Sequence, residues 1–142
     1  MALDSVLRYR EHLLSQRQAA LAEVLAVDGQ LAEAERAATA RREAVSAEAA
    51  AVGAVGRIDV SALSSRLLYS GLQQSEAVAI AQQRSLLAEE VAVRRRAVAK
   101  AEADVRAIER VIEQRAEAAK KVADRKAQLT LEDGWLTRQL RR

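Results

Sequence analysis

Residues 77–129 read AVAIAQQRSLLAEEVAVRRRAVAKAEADVRAIERVIEQRAEAAKKVADRKAQL. Alternating steps of three and four from Ala77 land on Ile80, Arg84, Leu87, Val91, Arg94, Val98, Ala101, Val105, Ile108, Ile112, Arg115, Ala119, Val122, Lys126 and Leu129. Most of these positions are aliphatic, and those between them are mainly Glu, Arg, Lys, Gln and Ala. A period of 3.5 held this long lays one apolar seam along a helix. Such a helix needs a partner helix, so the stretch predicts a coiled coil.

The partner lies upstream. Leu3, Val6, Leu7, Leu13, Leu14, Leu21, Val24, Val27, Leu31, Ala34, Ala38, Val45 and Val52 are spaced as one helical face requires. Leucine dominates up to Leu31, and Ala and Val take over beyond it. Asp4 or Ser5 is an acceptable N-cap. Between the two apolar patterns stands Gly53-Ala-Val-Gly56-Arg-Ile-Asp59. Two glycines three apart end the first helix, and Asp59 suits the N-cap of the next. The expected fold is therefore all-α, a monomeric antiparallel two-helix coiled-coil hairpin over residues 1–142, read as one elongated domain. Its expected parts are a helix over 4–52, a turn over 53–59, a short tip helix over 60–70 and a long helix over 72–139. The tip helix is separated because Gly71 interrupts the chain and Leu63, Leu67, Leu68 and Leu72 do not share the phase of the later heptad. The expected seam joins Leu7, Leu14, Leu21, Val24 and Leu31 to Val98, Val105, Ile108, Ile112 and Val122.

Helix lengths differ. The first helix spans about 70 Å and the second about 100 Å at 1.5 Å per residue, so the second overhangs or frays. Glu90 with Arg94, Glu102 with Arg106 and Glu117 with Lys121 are i,i+4 pairs, each worth about 0.2–0.5 kcal/mol. Gly29, inside the first helix, costs about 1 kcal/mol relative to Ala.

Composition narrows the function classes. Proline, phenylalanine and cysteine are absent, and one Trp and two Tyr are the aromatics. Without cysteine there is no disulfide framework or thiolate metal site. No secretory h-region and no run of about 18 apolar residues is visible. The charge is uneven: residues 1–59 hold seven basic and nine acidic side chains, residues 60–142 sixteen and eleven. His12 has no ligand-type neighbours in sequence, and Gly53–Gly56 lacks the Gly-Lys-Ser/Thr ending of a phosphate loop. Adjacent acids such as Glu89-Glu90 have no apolar pocket to shift them. No cofactor or metal site is read, and the chain is expected not to be an enzyme. Basic residues alternate with acids and lack aromatic stacking partners, which argues against nucleic acid. Trp135, next to a basic tail, is either a partner contact or a cap on the base of the hairpin.

The two ends resemble a known family. Leu3-x-x-Val6-Leu7-x-x-Arg10-Glu11 followed by an Ala/Leu heptad is similar to the opening of the flagellar export protein FliJ family. Ala107-Ile108-Glu109-Arg110-Val111-Ile112-Glu113-Gln114-Arg115 is similar to its "ALEKLRERR" pattern. Arg125-Lys126-Ala127-Gln128-Leu129-Thr130-Leu131-Glu132-Asp133 is similar to its "RREQKELDE" tail, with Arg125, Gln128, Leu131 and Glu132 in matching places. Ala127 and Leu129 stand where the family has a further acid and a lysine. Injectisome stalk proteins share the hairpin.

The resemblance implies a soluble, non-enzymatic stalk or adaptor of the type III export apparatus. It would lie in the cytoplasm, peripheral to the inner membrane, without inserting into it. The implied partners are the export ATPase hexamer, the cytoplasmic domain of the export-gate membrane protein, and export chaperones. On this reading Lys120, Lys121, Arg125, Lys126, Gln128, Leu131, Trp135 and Arg138 meet the ATPase ring. Leu67, Tyr69, Leu72, Glu76 and Ile80 meet the gate or a chaperone. The other reading is a coiled-coil scaffold or homodimerisation module unrelated to secretion.

Overall fold

A computed structural model describes residues 2–54, 56 and 59–142, with residues 53 and 54 described by backbone only. Among the described residues two helices make up the fold, α1 (Ala2–Ala54) and α2 (Val60–Leu140). They pack against each other as an all-α helical hairpin. α1 starts earlier than the sequence suggests, so Asp4 lies in its first turn and is not its cap. A carboxylate there still favours the positive end of the helix dipole. Of the expected turn, Val55, Arg57 and Ile58 lie outside the described residues. Gly56 has φ +77°, a left-handed conformation that a Cβ would strain. Asp59 caps α2 as expected: its Oδ1 accepts from the Ser61 and Ala62 amides at 3.1 and 3.3 Å.

The separate tip helix does not form. α2 is continuous through Gly71, with 81 residues. One glycine costs a helix only about 1 kcal/mol, and the neighbouring turns repay it if the seam stays in phase. It does stay in phase. Steps of three and four backward from Ile80 reach Ala77, Gln73, Ser70, Arg66 and Leu63, and all six are buried or half-buried. The leucines had suggested a break because they are not the seam here. Leu67, Leu68 and Leu72 face outward at 62, 68 and 60% exposure.

The chain falls into two compact units, one of Met1–Ser15 with Ala99–Arg142 and one of Gln16–Val98. The sequence suggested a single domain. In a helix pair each turn touches only the turns opposite it, so contacts stay local along the seam.

In the unit Gln16–Val98, Val24, Ala38 and Ile80 are buried. Ala38 has no exposed surface. Cross-helix contacts run antiparallel: Ala20 with Arg94, Asp28 and Glu35 with Arg84, Arg42 with Gln74, and Glu48 with Arg66. Leu21, Val24 and Leu31 take their expected seam places, but Val27 is 46% exposed, and Asp28 occupies the seam beside it.

In the other unit Val105 is buried, and Leu7, Leu14, Ile108 and Ile112 are half-buried. Arg10 pairs with Asp104 at 3.2 Å. That register sets Ile108 and Ile112 against the first two turns of α1, where Val6 is 40% exposed. Beyond Ile112 the described part of α1 has run out, and every residue from Glu113 to Arg142 is exposed. Val122 is therefore not part of the hairpin seam; it is 55% exposed.

Two mutational outcomes follow from this packing. Ile108→Asp puts a carboxylate into the seam and should cost about 2 kcal/mol or more. Lys100→Ala, on the exposed face, should stay within about 0.5 kcal/mol of wild type. Thermal unfolding followed by circular dichroism separates them, and equal losses would reject the seam. A Cβ built at Gly29 or Gly71 meets nothing within 4 Å. Gly29→Ala and Gly71→Ala should each therefore stabilise by about 0.4–1 kcal/mol in the same assay.

Candidate functional site: exposed faces of the second helix

The seam carries charge as well as aliphatic groups. Arg84, at a heptad position, donates from Nε to Asp28 Oδ1 and from Nη1 to Glu35 Oε2, both at 3.0 Å. The bond to Asp28, and after it the bond to Glu35, raises the guanidinium pKa above its ordinary value. Arg94, also at a heptad position, donates to the Ala20 carbonyl and to Glu90. The three i,i+4 pairs expected from sequence all form: Glu90–Arg94 at 2.8 Å, Glu102–Arg106 at 3.3 Å and Glu117–Lys121 at 3.2 Å.

Two faces of α2 stay open. The first belongs to the unpaired end after Ile112. Lys120, Lys121, Arg125, Lys126, Gln128, Leu131, Trp135 and Arg138 are all exposed there. Residues 113–142 hold eight basic and five acidic side chains. Trp135 is 61% exposed and makes an apolar patch with Leu131 and Leu136 of its own helix. It does not cap α1.

The second face lies at the start of α2. Leu67, Leu72, Tyr69 and Glu76 are exposed, whereas Ile80 is 9% exposed and seated in the seam. Ile80 is thus removed from the expected gate or chaperone surface. Its heptad position turns it toward α1. Val60 and Leu68, at 72 and 68% exposure, extend this face. The signal for them was present in the sequence: once Arg66, Ser70 and Gln73 are placed in the seam, the leucines beside them must point away. Behind the face, Gln73 is 7% exposed and its Oε1 has no hydrogen-bond partner among the described residues.

Among the described residues no three His, Cys, Asp or Glu side chains are grouped to hold a metal ion. His12 is exposed. Among the described residues no helix is long and apolar enough to cross a membrane. Compared with known protein families, curated proteins and solved structures, the chain matches none.

Leaving a buried acceptor unsatisfied costs about 1–3 kcal/mol. Gln73→Leu removes that acceptor at similar volume and should raise the melting temperature. A lower melting temperature would show that the Gln73 amide is satisfied in solution.

Proposed function

We propose that this chain is a stalk or adaptor of a type III protein export apparatus, of the flagellar kind. Its work is to join proteins, and it carries out no catalysis of its own. The observation that carries the reading is the end of α2. About thirty residues after Ile112 form a helix that is exposed throughout and has none of the described α1 residues beside it, net basic and bearing the single Trp. The stretch Arg125–Asp133, in which the sequence resembles the FliJ family tail, lies in that segment.

The chemistry suits insertion into a polar or acidic ring. Arginine and lysine on a preformed helix meet carboxylates without first ordering a loop, which lowers the entropic cost of docking. Trp135 and Leu131 supply the apolar anchor that interfaces commonly centre on. The ring of the export ATPase is the partner proposed for Lys120, Lys121, Arg125, Lys126, Gln128, Leu131, Trp135 and Arg138. The apolar face of Leu67, Leu68 and Leu72, with Tyr69 and Glu76, is assigned to the export gate's cytoplasmic domain or to an export chaperone. The protein would then work in the cytoplasm, at the inner membrane through its partners.

Mixing the chain with its cognate export ATPase tests the reading. Full-length protein should stimulate hydrolysis, shift the emission of Trp135, and bind more weakly as salt screens charges beyond about 8–10 Å. Removing residues 134–142 and changing Arg125 and Lys126 to Ala should abolish stimulation while leaving the helical signal nearly intact. Equal stimulation by the altered chain would falsify the docking assignment.

A further inference from the structure

The heptad does not stop where α1 does. In the unit of Met1–Ser15 with Ala99–Arg142, Ala101, Val105, Ile108 and Ile112 are seam positions at least half-covered. The same alternation of three and four continues through Val122, Lys126, Leu129, Asp133, Leu136 and Leu140. The four aliphatic members of that run are 55, 53, 51 and 87% exposed in order. A seam that is covered in its first part thus continues, in phase and uncovered, to the end of α2. This face is distinct from the one that carries Gln128, Leu131, Trp135 and Arg138. Lys126 belongs to both, and Leu136 borders the Leu131–Trp135 patch.

Charge selects what covers it. Two residues of the uncovered seam near its middle are polar, Lys126 and Asp133, one heptad apart and opposite in sign. Their flanking neighbours repeat the pattern: Arg125 beside Lys126, Glu132 beside Asp133. Among the described residues none of these four side chains has an ion pair within the chain. A basic pair and an acidic pair seven residues apart are complementary to their own reversed copy.

We propose that a second copy of this chain covers the face, the two α2 ends pairing antiparallel about a two-fold axis near Ala127 and Gln128. An isologous contact of this kind makes every pairing twice. Antiparallel heptads then set Lys126 of one copy beside Leu129 of the other, and Val122 beside Asp133. Side chains on a helix lean toward its N-terminus. Lys126 of one copy and Asp133 of the other therefore lean toward each other. Arg125 of one copy flanks Glu132 of the other. A parallel pairing in register would instead set Lys126 against Lys126 and Asp133 against Asp133, which like-charge repulsion opposes. The overlap from Arg115 to Leu140 is about 39 Å at 1.5 Å per residue. That is about four heptads, within the range that sustains a coiled coil. The hairpin itself needs no second chain, because α1 already covers the seam up to Ile112.

Sedimentation equilibrium of the full chain from about 1 to about 200 µM reads the association directly. Wild type should pass from monomer to dimer across that range. E132K/D133K sets like charges together and should weaken dimerisation about tenfold or more, with unchanged circular dichroism. Adding R125E/K126E to the same chain restores opposite signs in the antiparallel pairing and should return most of the loss. A wild-type chain that stays monomeric throughout, or a fourfold variant as weak as E132K/D133K, overturns the proposal. E132K/D133K keeps every side chain assigned to the ATPase ring. Loss of dimer with retained stimulation therefore separates this face from the docking one.

Discussion

Two helices packed side by side share one line of contact and enclose no interior. Each seam side chain has the opposite helix on one side and water within reach on the other. Among the described residues no large side chain is sealed from solvent, and the buried apolar groups are Val24, Ala38, Ile80 and Val105. That constraint explains why charged residues occupy heptad positions. The Arg84 side chain keeps 37% of its surface exposed while it binds Asp28 and Glu35, so it avoids the full desolvation of a buried ion. Such pairs add little stability each, but they distinguish one register from its neighbours. A slip of one heptad would leave Arg84 only one of the two acids, since Asp28 and Glu35 are themselves seven residues apart. Register in turn decides which turns of α2 lie opposite α1 and which are left over.

Much of this was legible in the sequence. The hairpin, the Asp59 cap, the three i,i+4 pairs and the overhang of the second helix follow from spacing and residue type. The departures at Val122 and Val27 come from reading faces alone. A sequence pattern marks which positions share a face, but it does not say where the partner helix begins. Val122 keeps perfect phase with Ile108 and Ile112, yet the described residues of α1 lie short of it. Val27 belongs to an apolar series in the sequence and turns outward, because the matching seam position is the charged Asp28.

The start of α2 misled for a different reason. There the usual assignment is inverted, with Arg66, Ser70 and Gln73 inside and Leu67, Leu68 and Leu72 outside. Following the apolar residues implied a phase break at Gly71, whereas following the three-four spacing alone carries the seam straight through it. Natural sequences mostly agree with their folds at every level, and local conflicts gather where another molecule must bind. The exposed residues of the unpaired end were readable as a basic segment. That its heptad face lies uncovered was not, since nothing in α2 alone indicates how much of the seam α1 can reach.

The unpaired end of α2 also has a consequence for dynamics. A helix held only by its own backbone ladder frays from its terminus, because most helical stability in proteins comes from packing against a neighbour. Gly134 weakens that ladder further, near Trp135. Amide hydrogens after Ile112 should then exchange with solvent by local opening, while those near Val24, Ala38 and Ile80 exchange only with larger openings. Protection from exchange along one continuous helix becomes a gauge of occupancy. Wherever a second molecule lies on the far end of α2, the slow-exchanging region lengthens by the number of turns that molecule covers.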